Sequence, residues 1–165
     1  MDSEYKIYLA RAENELNLST MIQKVSENPE IQTKIFEMKE DTYYSAVISH
    51  AYYSIFYSAK AYLLLKRIKT RAPEEHKKTF YEFSKLVKRG VVDIELLKIY
   101  QSALMKANTL LSIFETEKTK RGQFTYKRIP QANQEPAQES IKNAKIFFKN
   151  MFQLCKEAFK EDKFF

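Results

Sequence analysis

Two histidines, one cysteine and two runs of cations are the side chains best suited to chemistry in this chain. His76 lies five residues after Arg71, and His50 immediately precedes the run Ala51-Tyr52-Tyr53. An imidazole changes charge near neutral pH and a guanidinium grips phosphate oxygens, so such groups can act on a phosphodiester. Read by position, however, both histidines are better explained as satisfied structural groups. His76 falls at a helix start or core rim, and His50 falls on a crowded helix. One cation run is Lys66, Arg67, Lys69 and Arg71; it reads as a solvated connector. The second holds Lys118, Lys120, Arg121, Lys127 and Arg128, with Phe124 and Tyr126 among them. Rings interleaved with cations suit single-stranded RNA, whose phosphates meet the charge and whose bases stack on the rings.

Other chemistries find little support. Two glycines cannot build a phosphate-cradling loop, and no paired-His metal set or nucleophile triad is present. No metal or cofactor is therefore expected. Cys155 lies on an apolar helical stripe and reads as a small buried hydrophobe; a single cysteine excludes an internal disulfide. Glu74-Glu75 sits at a helix start, where the helix dipole accounts for paired acids. No apolar run reaches the roughly 18 residues of a membrane span, and the acidic N-terminus lacks a signal-peptide core, so a cytoplasmic protein without membrane partners is expected. The net charge of +7 is compatible with phosphates or with an acidic partner.

The elements that must position these residues are helices. Helical periodicity runs through the chain, with no convincing strand, and 165 residues suit one domain over 1–165. A first helix is predicted from about Ser3 to Val25, with Tyr5, Leu9, Ala12, Leu16 and Ser19 on one side. Asn28-Pro29-Glu30 restarts a short helix to about Met38, and Asp41 is the expected cap of a long one. From Tyr43 to Leu65 apolar residues occupy nearly every face, which marks a central, surrounded helix. Pro73 is expected to open a third helix that stops at Lys88-Arg89-Gly90. Asp93 starts a fourth, with Ile94, Leu97, Leu104, Leu111 and Phe114 inward. After an irregular stretch from about Lys118 to Glu135, Pro136 restarts a last helix carrying Ile141, Ala144, Phe148, Met151, Cys155 and Phe159.

The central run YYSAVISHAYYSIFYSAKAYLLL is similar to the second-helix signature of HEPN domains. The flanking pieces fall in the order of that superfamily's nucleotidyltransferase-associated branch: YLARAENEL before, His76, Phe80, Phe83 and Lys88-Arg89-Gly90 after, then Lys120-Arg121-Gly122-Gln123-Phe124-Thr125-Tyr126. The likeness covers about Tyr5 to Phe159, apart from an insertion around Ser26 to Met38.

The resemblance implies an all-α, up-and-down bundle of four to five long helices, usually a homodimer. It further implies either the toxin half of a pair with a small nucleotidyltransferase or an RNA-cleaving or RNA-binding module. Where such domains cut RNA without metal, an Arg followed four to six residues later by His does so at the dimer cleft. Here Arg121 takes the arginine place, but Tyr126 stands where the histidine belongs. A phenol of pKa near 10 is a poor base at neutral pH. The expected site is therefore Arg121 and Tyr126, with Lys120, Phe124, Lys127 and Arg128 binding nucleic acid and His76, His50 and Tyr53 as accessories. Arg71 to His76 repeats the literal spacing, but it lies in the connector, where chance suffices to produce it. The alternative is a non-catalytic module that docks a nucleotidyltransferase and touches no RNA.

Overall fold

The computed structural model describes residues 4–119 and 134–161. They form an all-α bundle of five helices: α1 (Glu4–Ser26), α2 (Tyr44–Leu65), α3 (Glu75–Lys88), α4 (Ile94–Thr119) and α5 (Gln134–Glu161). A single π-helical turn, Ile31–Ile35, interrupts the connection between α1 and α2.

Helix α2 packs against all four others, as its all-round apolar pattern predicts. Val47, Ile55, Phe56, Ala59 and Leu63 are almost wholly buried. Removing side chains of this size from water contributes about 1.5–3 kcal/mol each for the larger ones. Ser54, Ser58 and Ala61, also buried, keep the helix slim on the sides where neighbours approach. Cross-helix contacts fix the directions. Ser19 Oγ donates to the Val47 carbonyl at 2.8 Å, while Lys69, just past α2, reaches Glu4 at 3.5 Å, so α1 and α2 are antiparallel. Lys106 meets Glu139 while Tyr100 meets Phe147, which makes α4 and α5 antiparallel too. The four long helices thus run up and down, and the shorter α3 inserts Phe83 between Tyr100 and Phe147.

Local signals behave largely as expected. Asn28 Oδ1 accepts from the Ile31 amide at 3.4 Å, with Pro29 in the first turn. Gly90 takes φ 71° after α3, and the amides of Gly90 and Val91 return to Val87 and Leu86 in a Schellman closure. The stripe of α5 buries Ile141, Ala144, Met151 and Cys155 as read.

Three readings need correction. Asp41 does not cap α2: its carboxylate accepts the Thr42 amide, and the helix begins at Tyr44 with no side-chain cap. Pro73 does not open α3, because Glu74 adopts a left-handed conformation (φ 58°) that delays the helix to Glu75. In α4 the core face runs through Leu96, Tyr100 and Ala107, whereas Ile94 is 53% exposed. The first turn of α4 lies at the rim, so its isoleucine meets solvent. Leu111 and Phe114 lie outside the residues whose side chains are described.

Candidate nucleic-acid interface

Helix α1 carries Tyr8, Arg11 and Glu15, and α2 carries Tyr53, Tyr57 and Lys60; within each set the spacing of three or four residues aligns the side chains on one face. Antiparallel packing of the two helices sets these faces side by side, and the start of α3 adds Glu75 and His76. The result is a row of rings. Tyr8 and Tyr57 stack with centroids 6.1 Å apart, Tyr57 and Tyr53 stack at 6.3 Å, and Tyr53 meets His76 edge-on at 5.7 Å. Cations lie across it: the Arg11 guanidinium is 4.5 Å from the Tyr57 ring centroid and Lys60 Nζ is 4.5 Å from that of Tyr8. Tyr8 and Tyr57 are half-buried, while Tyr53 and Arg11 reach solvent.

Lys60 is buried and bonds to Glu75. Burial alone would lower its pKa, but the hydrogen bonds to Glu75 and Tyr8 outweigh that and hold it above the ordinary lysine value. It stays charged. At the far end of the row His50 Nδ1 lies 2.6 Å from Glu15 Oε2.

His76 is held more tightly than an accessory base would be. Its ring stacks on Phe56 at 3.9 Å, and Nδ1 lies 2.8 Å from the Tyr52 hydroxyl. Burial raises the Tyr52 phenol far above its ordinary pKa, so it keeps its proton and bonds to Nδ1 as a neutral hydroxyl. One ring nitrogen is thus committed to Tyr52, and the stack on Phe56 fixes the ring plane. Burial, reinforced by Lys60 and opposed by Glu75, also lowers the histidine's pKa and disfavours the charged ring. His76 is a ring in the row, neutral and fixed.

Beside Lys60 opens a polar cleft of 230 Å³ between the start of α1, the end of α2 and the start of α3. Tyr8, Lys69 and Arg71 line it, together with Glu4 and Glu75. Part of the basic connector thus borders the row, although it reads from sequence as mere solvated chain. Lys69 pairs with Glu4, and Arg71 is exposed.

Of the residues expected to form the site, Arg121, Tyr126, Lys120, Phe124, Lys127 and Arg128 lie outside the described residues. His76 and Tyr53 come together in the row, and His50 stands at its Glu15 end. Tyr52 and Tyr53 divide their roles: Tyr52 is 6% exposed and Tyr53 37%, so only the first is core. Tyr8, Arg11, Tyr57 and Lys60 were not singled out from the sequence. Their i, i+3 spacings are visible there, but α1 and α2 must pair before the two stripes become one surface. Among the described residues no group of acids, histidines or cysteines could hold a metal ion, and no helix is long and apolar enough to cross a membrane. Burial pushes the Cys155 thiol up to about 12, which makes it inert.

No protein-family model matches this chain, and no curated protein matches it.

Proposed function

We propose that this chain is a HEPN-type bundle that binds single-stranded RNA, in the cytoplasm, as a homodimeric toxin-type partner of a nucleotidyltransferase. The observation that carries the RNA reading is the row Tyr8, Tyr57, Tyr53 and His76 with Arg11 and Lys60 across it. Tyr53 and the open part of Tyr57 offer ring surface to bases, and exposed Arg11 offers charge to a phosphate, while Lys60, held by Glu75, fixes the row from beneath. Arg121, with Lys120, Phe124, Lys127 and Arg128 around it, extends the same chemistry along the chain.

Binding without efficient cleavage is the expected mode. Tyr126 replaces the histidine that would take the 2′-hydroxyl proton, and His76 is stacked on Phe56 and bonded to Tyr52. Arg121 in this reading holds a phosphate, and Tyr126 stacks on a base. The test is incubation of purified protein with end-labelled single-stranded RNA in the absence of metal, beside Arg121→Ala. Retention of intact RNA that weakens in the variant is the predicted result. Cleavage lost in the variant would instead make this a nuclease working without the usual histidine. Neither binding nor cleavage would leave the interaction module as the better reading.

A further inference from the structure

The connection between α1 and α2 ends in an exposed apolar knob. Ile35 is 68% exposed, Phe36 53% and Met38 50%. Three large apolar side chains within four residues form the kind of patch that marks a contact surface. The knob is firmly built. Gln32, 1% exposed, donates through its amide nitrogen to the carbonyls of Val25 (2.7 Å) and Asp41 (3.0 Å) and accepts the Asp41 amide at 2.7 Å. Ser26 Oγ accepts the Tyr43 amide, closing the base of the loop. A loop tied at both ends and through its middle holds its tip in one conformation, so docking it costs little ordering entropy.

Near the same end of the bundle, where the start of α2 meets α4, lies an apolar groove of 570 Å³. Ile48 forms its floor, and Met105, itself 63% exposed, Thr109 and Leu110 line it beside Lys98 and Lys106. The groove has room for a phenyl ring and a thioether side chain together. Charge decides what fits it. The knob segment carries Glu30, Glu37, Glu40 and Asp41 against Lys34 and Lys39, a net of −2 in a chain of +7. The groove is lined by two lysines and no acid. Lys98 and Lys106 hold Glu95 and Glu139, but surface pairs of that sort are worth under about 1 kcal/mol and exchange readily. A local deficit of positive charge disfavours nucleic acid or anionic lipid at the knob; an apolar, lysine-rimmed groove is its complement.

We infer that two copies of this chain associate by inserting the Ile35-Phe36-Met38 knob of each into the α4 groove of the other. The contact is reciprocal, so two-fold symmetry closes it at two copies. This rests on the homodimer within the proposed function and names its surfaces; it does not depend on RNA. Sedimentation of the full chain at tens of micromolar, with Phe36→Asp and Met105→Asp beside it, tests the pairing. Both positions are exposed, so the variants keep the thermal transition of the parent. Each is expected to weaken dimerisation at least about tenfold. Mixing Phe36→Cys with Met105→Cys protein under mild oxidation should give a disulfide-linked dimer that neither yields alone, with the parent as control for Cys155. A dimer unchanged by both aspartates, or a mixture that fails to cross-link, would overturn the inference and leave a homodimer built on other surfaces. A monomeric parent chain would overturn the inference and the homodimer reading together.

Discussion

The α1–α2–α3 seam and the α1–α2 connection border the same two helices yet solve opposite problems. The seam keeps polar groups at a half-buried surface by pairing each across elements: Lys60 with Glu75, His50 with Glu15, Tyr52 with His76. Its rings are thereby held at fixed spacing with their cations charged. The connection does the reverse, burying one polar side chain, Gln32, and turning its apolar residues outward. A polar surface is built over an apolar core in one place, and an apolar surface over a polar core in the other. The difference teaches that what a region presents follows from where its hydrogen bonds are satisfied. The seam suits a charged, aromatic ligand; the connection suits an apolar one.

The sharpest way to break this contrast is Gln32→Ala. Three part-buried hydrogen bonds go, and the Asp41 backbone loses the side chain that satisfied both its amide and its carbonyl, at a cost of about 3 kcal/mol. Urea denaturation should report that loss, and self-association should fall while RNA affinity at the seam stays near the parent value. If the RNA affinity fell equally, the two regions would not be independent.

Next in size is Lys60→Met, which strands Glu75 beside an apolar chain. Because the Glu75 side chain is 30% exposed, water relieves part of the penalty, and about 2 kcal/mol is expected. Adding Glu75→Leu should recover most of it in the same denaturation assay, because a matched apolar pair leaves no orphaned charge.

The smallest effect is a pH dependence. The His76 pKa lies below its ordinary value in the folded state, so the unfolded chain binds more protons as pH falls through about 6.5. This histidine therefore costs nothing at higher pH and destabilises the fold progressively below that point. His76→Gln should flatten the fall in urea midpoint between about pH 7.5 and about 5.5 relative to the parent. Identical slopes would mean that His76 is not the half-buried, neutral ring described above.

Much of the fold was legible because its signals are local. The stripe of α5, the Asn28-Pro29 restart and the stop at Gly90 each depend on a few neighbouring residues. The errors arose where tertiary position overrides type. Ile94 is apolar but lies at the rim of α4, and Asp41 has a capping side chain but spends it on Thr42. The site was harder. A helix as apolar as α2 on every side hides which of its tyrosines face out, so Tyr53 and Tyr57 are distinguishable from Tyr52 only once α1 and α3 are packed. Tyr8 and Arg11 on α1 gain meaning only opposite Tyr57. His76, by contrast, was readable as a core-rim histidine, and its bond to Tyr52 explains why.

The most direct test of the central reading is fluorescence anisotropy of a labelled single-stranded RNA titrated with the parent chain, Tyr57→Ala and Arg11→Ala. Loss of one stacking ring should weaken binding by about tenfold. Loss of Arg11 should weaken it less and make it less sensitive to salt, as removal of a phosphate contact does. Parent-like affinity and salt dependence in both variants would contradict the assignment of RNA to this seam.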